Sequence, residues 1–286
     1  MITELRRHYM TQPHEVSIET LAVCNAACTF CPYPTLERQG VCLDTAVMAV
    51  LVEQMSHWTH PFFISPFKVN EPLLDSRLNH FCLLIEAAVP QARLRLFTNG
   101  QPLTMYHVEW IANLKRVEHL WISLNSTDPY EYESLMKCKY AIVMRNLDAL
   151  HAAVVKKEFT HPVVLSRVLQ GGSNGQLLGD ADCLFHREVL QRWPLFQTHL
   201  IKRDSWLGYV APGDARVPRS PCARWFELSI TAEGKAVLCC MDGKGEYEQG
   251  DVSTQSLLEI YNNPFLTKCR QAATRQGIEP CQGCSY

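Results

Sequence analysis

The chain has 286 residues, 47% of them apolar, with 27 basic against 29 acidic side chains and a formal net charge of -2. That near-balance removes any bulk electrostatic drive toward nucleic acid or an anionic membrane, and no apolar run approaches the length of a membrane span. The 13 cysteines, with no export signal in the opening MITELRRHYMTQPHE, point to a reducing, cytoplasmic setting rather than a disulfide framework. The length suits one large domain, or one domain with a small appendage.

Residues 1–15 read as a short N-terminal arm, and residues 16–21 predict a strand from their β-branched, partly alternating pattern. Cys24, Cys28 and Cys31 follow at once as CxxxCxxC, on a loop that Pro32 and Pro34 keep out of helix. Thiolates this close can converge on one soft metal centre; three of them hold three irons of a cubane and leave the fourth iron open. Zinc fits less well, because it wants four ligands, or three and a water. Asp44 predicts the cap of a helix to about Met55, residues 62–66 a second strand, and Asp75 the start of a helix to about Ala88. Residues 94–97 predict strand three, Thr104 a helix cap, and residues 120–124 strand four. Residues 129–137 and 141–155 predict two helical pieces, with Cys82 and Cys138 as small core residues. Residues 163–165 predict strand five, the glycine-rich 171–175 a rim loop, 182–192 a helix, and 199–201 a short strand six. This alternation predicts an α/β fold, a partial TIM-like (β/α)6 barrel, with its active site at the C-terminal ends of the strands.

Proline and glycine crowd residues 208–221, marking a linker. Beyond it lie Cys222, a strand over 225–231, a turn at Glu233 and Gly234, and a returning strand over 235–239. Gly250, Asp251 and Val252 precede a helix that Ser256 or its neighbours open and that runs through Ile260, and Cys281 and Cys284 lie near the C-terminus. Four thiolates in this region fit structural zinc as well as an iron–sulfur cluster.

CxxxCxxC with the aromatic Phe30 before its last cysteine, directly after a first strand, resembles the signature of the radical S-adenosylmethionine (SAM) superfamily. The resemblance implies that the open iron chelates the methionine part of SAM. One-electron reduction then cleaves SAM, and the resulting 5′-deoxyadenosyl radical abstracts a substrate hydrogen. It implies an external reductant such as flavodoxin or ferredoxin. It also implies SAM contacts at the mouth. Asn70, Glu71 and Pro72 resemble the family's Gly-Glu-Pro motif, with Asn70 in place of glycine; the plain alternative is an ordinary turn. Asn99, within Thr98-Asn99-Gly100, resembles the family's strand-three ending, although an Asn-Gly turn explains it equally well. Ser123 and Asn125 fall at the end of strand four, where family members often place a serine against the SAM carboxylate or ribose, a core-edge serine being the plain alternative. Ser166 and Arg167 follow strand five, where an arginine can pair with the SAM carboxylate or a substrate oxygen or simply lie at the surface. Phe30 and Tyr33 can face the adenine or simply pack. Arg167 and His107 are nominal catalytic candidates for handling a substrate hydroxyl.

The C-terminal pattern resembles the SPASM/Twitch auxiliary-cluster extension of that superfamily. The resemblance implies one auxiliary [4Fe-4S] cluster on Cys222, Cys281, Cys284 and either Cys239 or Cys240. The Gly-x4-Cys spacing from Gly234 favours Cys239, and neighbours on a strand face opposite ways. The expected domains are a barrel over 1–212 and a β-hairpin-plus-helix Twitch domain over 213–286. A second cluster beside the substrate suits a net two-electron oxidation. The expectation is an oxidoreductase acting on a small carbohydrate, cyclitol or nucleoside-type alcohol, because only about 15 residues precede strand one, too few for a leader-binding domain. The alternatives are a peptide maturase that oxidises, epimerises or crosslinks a side chain, and a non-catalytic iron–sulfur electron-transfer or scaffold protein.

Overall fold

The computed structural model describes residues 1–170, 179–211 and 217–286. The glycine-rich stretch 171–175 and the expected domain boundary between 212 and 213 lie outside the described residues.

Six β/α units run in order. Strands β1 (Glu15–Ile18), β2 (Phe62–Ser65), β3 (Ala92–Thr98), β4 (Val117–Ser123), β5 (Val163–Val168) and β6 (Gln197–Ile201) pair in parallel. Between them lie α2 (Thr45–Ser56), α3 (Leu78–Ala88), α4 (Met105–Asn113), α5 (Pro129–Met136), α6 (Tyr140–Val155) and α7 (Asp180–Arg192). The sheet does not stop at β1. Strand β7 (Glu227–Ile230) pairs with β1 in parallel, and β8 (Lys235–Val237) and β9 (Glu248–Asp251) continue it antiparallel, giving the order β6-β5-β4-β3-β2-β1-β7-β8-β9. The barrel is incomplete, and the C-terminal hairpin is built onto its β1 side. Three short helices complete the chain: α1 (Ile2–His8), α8 (Leu257–Tyr261) and α9 (Pro264–Gln271).

The pleat sorts side chains by period two. Val16, Ile18, Ile64, Leu94, Leu96, Leu120, Ile122, Leu165, Leu228 and Ile230 point to the helices and form the main core with Met48, Phe81, Ile111, Leu147 and Val189. The opposite, inner face carries Glu15, Ser17, Ser65, Arg95, His119, Trp121, Ser166, Glu227 and Ser229. The resulting strands are apolar on one face and polar on the other, unlike the doubly covered strands of a fully packed sheet. A second apolar cluster, with Trp225, Phe226, Leu238, Leu266 and Ile278, gathers Cys222, Cys239, Cys269 and Cys281.

Local chemistry explains most boundaries. Asp44 caps α2 by accepting from the Ala46 N–H at 2.7 Å, Asp128 caps α5 through Glu131 N, and Ser256 caps α8 through a reciprocal box with Glu259. Asp75 does not start a helix. Its carboxylate is taken by Arg77, Oδ1 to Nε at 2.9 Å and Oδ2 to Nη2 at 2.8 Å, and α3 begins at Leu78 after a 3-10 turn over Pro72–Leu74. The residues expected as one strand over 225–231 divide into a 3-10 turn (Ala223–Phe226) and β7. Helices α1 and α9 and strand β9 are additions to the sequence-based reading. Cys82 is a core residue of α3, but Cys138 lies half-buried in the turn between α5 and α6, its Sγ 3.7 Å from the Asn25 carbonyl oxygen.

Candidate active site

The first cysteine loop leaves β1 at its C-terminal end and hangs on the end of α5: Thr29 N donates to Leu135 O at 2.9 Å and Ala27 N to Met136 O at 3.3 Å. Within it Cys31 N donates to Cys28 O, and Ala26 N points at the Cys24 sulfur at 3.4 Å. The three thiols lie within electrostatic reach of one another, and Cys138 stands beside Cys24 and Cys28. Burial pushes Cys24 up to about 12 and Cys31 up to about 11, and raises Cys28 well above its ordinary value. Bare thiolates are therefore disfavoured here, and a positively charged metal centre would reverse that balance.

The strand-two and strand-three motifs meet beside this loop. The Glu71 carboxylate is buried and turned inward, accepting from Asn99 N at 2.6 Å, Thr98 Oγ1 at 2.8 Å and Leu73 N at 3.1 Å. Burial outweighs those three donors and pushes it up to about 7. Asn99 then reaches the cysteine loop, its Nδ2 donating to Asn25 Oδ1 at 2.7 Å and lying 3.9 Å from Cys24 Sγ. Gly100 closes the turn at φ +76, where a Cβ would sit 2.9 Å from Val143 Cγ2. Asn70 stands at the family's glycine position without a left-handed backbone. Its Oδ1 accepts from Lys68 N, and its Nδ2 is buried without a partner. Phe30 lies against the core with its carbonyl accepting from Trp206 Nε1 at 2.9 Å, and Tyr33 opens a 3-10 turn just beyond.

Ser123 and Ser166 are register partners on β4 and β5. Ser166 Oγ accepts from Trp121 Nε1 at 2.8 Å. Asn125 is fully buried in the left-handed region at φ 64, which asparagine tolerates, and ties β4 to β5 by accepting from Val168 N. Arg167 and His107 sit elsewhere than the sequence suggests. The position after Ser166 faces the helices, so Arg167 is 1% exposed and all three of its guanidinium nitrogens are engaged: Nε with Asp182 at 2.7 Å, Nη2 with Glu131 at 2.8 Å, and Nη1 with Glu131 and the Asn125 carbonyl. His107 closes the N-terminus of α4, its Nδ1 3.2 Å from Thr104 N and 2.9 Å from Thr104 Oγ1. Neither side chain offers a free group to the mouth.

The second cysteine set lies under the C-terminal hairpin. Cys222 senses Cys281 and Cys284, and Cys239 senses Cys222 and Cys281. Cys240 lies instead near Arg224, Glu227, Lys68 and Glu15; both cysteines sit in the turn after β8 (Lys235–Val237), not on the strand whose alternation is expected to separate them. Burial raises all five thiols, Cys222 to about 11 and Cys240 to about 12. Trp225 Nε1 points at Cys281 Sγ at 3.3 Å, and backbone N–H groups of Leu207 and Tyr286 serve Cys284. Reduced thiols with N–H donors aimed at sulfur are the donor set an iron–sulfur cluster takes. Among the described residues no three His, Cys, Asp or Glu side chains close on a single bare ion; a cubane holds its thiolates further apart than one ion does.

Two cations absent from the sequence-based site join these sets. Lys68, 1% exposed in the loop after β2, directs Nζ at Asp242 O (2.7 Å) and at the Cys239 and Cys240 carbonyls (3.4 Å each). Arg38, in the loop after Cys31, donates to Gly243 O at 2.8 Å and Lys244 O at 3.0 Å while its other edge pairs with the fully buried Glu19 at 2.6 Å. At the end of β6, Arg203 Nη2 donates to Thr29 O, and Asp204 beside it keeps a buried Oδ1 without a partner. Burial raises the Asp204 carboxyl, in reach of Cys284. No sequence signal marks these residues, because isolated charges in loops read as solvated.

The inner face below the mouth is polar and aromatic. Ser17 Oγ, Ser229 Oγ, Arg95 Nε, His119 Nε2 and Arg224 Nε are buried atoms without a protein partner. Phe67 stacks on Phe97 at 4.9 Å, and Trp121 touches Phe97, His119 and His199.

Comparison with known proteins matches this geometry. The radical SAM superfamily model covers residues 18–172, and a SPASM model, an iron-sulfur cluster-binding domain, covers residues 222–285. The S-adenosyl-L-methionine-dependent 2-deoxy-scyllo-inosamine dehydrogenase of Niallia circulans is 30% identical over 100 residues, 35% of this chain and 40% of that relative's length. Among solved structures, BtrN in complex with AdoMet and 2-DOIA superposes with TM-score 0.68 at 19% identity, over 96% of this chain and 93% of that one. SuiB of Streptococcus suis, bound to the precursor peptide SuiA, superposes with TM-score 0.69 at 13% identity, over 99% and 72%. anSMEcpe with bound AdoMet superposes with TM-score 0.62 at 11% identity, over 87% and 79%. These structural likenesses establish the shared fold. Since the superfamily model spans more than half of the chain and begins at the strand that delivers Cys24, Cys28 and Cys31, this protein belongs to the radical SAM superfamily and is a radical SAM enzyme.

Proposed function

We propose that the chain is a radical SAM dehydrogenase that oxidises one hydroxyl of a small polyhydroxylated ring, a cyclitol, carbohydrate or nucleoside-type alcohol, to a ketone. The observation that carries this reading is the inner face between the two cysteine sets. Buried hydroxyls of Ser17 and Ser229, Nε2 of His119, and the Nε groups of Arg95 and Arg224 have no protein partner there, although the two guanidinium groups also pair through Nη1 with Glu15 and Glu227. Unpaired buried polar atoms are unfavourable until something hydrogen-bonds them. A polyol supplies donors and acceptors at that density, and the Phe97 and Trp121 rings can pack on its C–H faces. The stretch of identity with a 2-deoxy-scyllo-inosamine dehydrogenase supports the same substrate class.

In this reading Cys24, Cys28 and Cys31 hold the SAM-binding [4Fe-4S] cluster, and Cys222, Cys239, Cys281 and Cys284 hold the auxiliary one, with Cys240 left free. When bound, the first cluster and SAM supply a 5′-deoxyadenosyl radical that takes a hydrogen atom from the carbinol carbon, and the second cluster supplies an acceptor for the remaining electron. Glu71 fixes Asn99 against the cysteine loop, and Asn70, whose buried Nδ2 has no protein partner, would help hold SAM. Ser123, Ser166, Phe30 and Tyr33 would complete the SAM site, the serines for the ribose and the aromatic rings for the adenine. Asp204, at the mouth with one oxygen unpartnered, takes the hydroxyl proton.

The test is anaerobic reconstitution followed by isotope transfer. Dithionite-reduced protein is given SAM and aminocyclitols, sugars or nucleosides deuterated at the carbinol carbons. The expected result is deuterium in 5′-deoxyadenosine and one ketone per SAM consumed. Deuterium transfer from peptides alone overturns the substrate class; zinc in place of iron, or no SAM cleavage, overturns the chemistry.

A further inference from the structure

The turn that carries Cys239 and Cys240 offers five main-chain carbonyls to only two side chains. Lys68 takes those of Cys239, Cys240 and Asp242, and Arg38 takes those of Gly243 and Lys244. Both cations belong to the barrel, Arg38 to the loop after the first cysteine set and Lys68 to the loop after β2. Both are almost fully enclosed, Lys68 at 1% and Arg38 at 4% exposure. The turn is rigid from its own side as well, since the Asp242 carboxylate accepts from Gly245 N and Glu246 N at 3.0 Å and from Tyr247 N at 2.9 Å. The two cations differ in one respect. Arg38 is neutralised at contact by Glu19, at 2.6 and 3.1 Å. Lys68 donates only to carbonyl oxygens, at the Cys239 end of the turn, with the Glu19 and Asp242 carboxylates within electrostatic reach but not bonded to it.

We propose that Lys68 is a positioning and tuning residue for the auxiliary cluster: it pins the Cys239 turn to the loop after β2 and, through its enclosed charge, makes that cluster easier to reduce. A cation within the low-dielectric interior favours the more negative, reduced state of a nearby cluster, and second-shell charge and burial are recognised controls of such potentials. The task it serves follows directly. An acceptor that is easier to reduce accepts the electron left on the substrate before the hydrogen can return. This inference rests on the reading that Cys239 ligates a cluster, and the experiment separates the two.

The full-length chain with Cys24, Cys28 and Cys31 changed to alanine isolates the C-terminal set. It is reconstituted anaerobically, and its iron, sulfide and midpoint potential are measured by spectroscopic redox titration. Absence of any cluster in this protein overturns the ligand reading itself. With the cluster present, Lys68→Gln is compared with Lys68→Arg in the same background. The expected result is full iron loading in both. Gln lowers the potential by the equivalent of a tenfold or larger change in the reduction equilibrium, about 59 mV for one electron, and Arg stays near the parent value. In the otherwise unaltered enzyme Lys68→Gln raises the ratio of 5′-deoxyadenosine to oxidised product at least threefold, and Lys68→Arg restores it. Loss of the cluster with Gln but not Arg also supports the proposal. An unchanged potential with Gln, or equal loss of the cluster in both variants, overturns it.

Discussion

Lys68 Nζ and the Asp242 carbonyl oxygen lie 2.7 Å apart although 174 positions separate them in the chain. This contact, with Arg38 beside it, fastens the turn between β8 and β9, which carries Cys239 and Cys240, to the loop after β2. The electrostatics of that seam set the first prediction.

Arg38 and Glu19 form an ion pair whose side chains are 3% and 0% exposed. Removing one member leaves a buried charge, which costs about 3–5 kcal/mol, whereas removing both is far milder. Arg38→Met is therefore expected to lower unfolding free energy by about that amount, and Arg38→Met with Glu19→Gln to recover more than half of it. Anaerobic denaturant titrations of the two variants measure the difference; equal losses would contradict the buried-pair account.

Cys239 and Cys240 are adjacent but face different surroundings, the other cysteines in one case and the inner face in the other. Cys239→Ser is expected to reduce reconstituted iron from about eight to about four per chain, and Cys240→Ser to leave it unchanged. Iron and sulfide analysis with electron paramagnetic resonance distinguishes them, and the reverse pattern would assign the ligand to Cys240.

Glu71 makes stability pH-dependent in a direction opposite to that of an exposed carboxylate. Burial pushes it up to about 7 from an ordinary 4.5, so between those values the folded chain holds a proton that the unfolded chain has lost. Its stabilising contribution is complete below about pH 4.5, falls as pH rises toward 7, and is flat above, a change on the order of 3 kcal/mol. Glu71→Gln removes that slope. Unfolding free energies at about pH 5 and about pH 7.5, parent against variant, provide the check.

Asp204 is assigned proton uptake on its position at the mouth and its unpartnered oxygen. Asp204→Asn is expected to lower ketone formation by about 10²–10⁴-fold. SAM cleavage and iron content should stay near the parent values, and substrate KM should change less than kcat. A KM effect with unchanged kcat would make Asp204 a binding group only.

Much of this molecule is legible in one dimension. CxxxCxxC is a local motif, and its chemistry depends on three residues within eight positions. The β/α alternation follows from side-chain period, and Asp44, Thr104 and Ser256 mark helix starts through bonds to their own neighbours. The C-terminal spacing likewise groups Cys222, Cys281 and Cys284. Harder to read were β9 and α9, short elements whose stability comes from packing rather than from pattern. The helix expected from Asp75 begins at Leu78, because Asp75, accepting from Arg77 N at 3.0 Å, opens a turn before it.

The sequence by itself carried the family signature and the β/α alternation, because each is written in residues close together in the chain. Only the tertiary structure decided which way a side chain faces. One step of the strand pleat sends Arg167 into a buried triad with Glu131 and Asp182 and sends Ser166 to the inner face. The turn after β8 likewise gives Cys239 and Cys240 different surroundings, the other cysteines for one and the inner face for the other. The seam of Lys68, Arg38 and Glu19 was invisible in sequence for the same reason: a charge in a loop looks solvated until a distant segment closes over it.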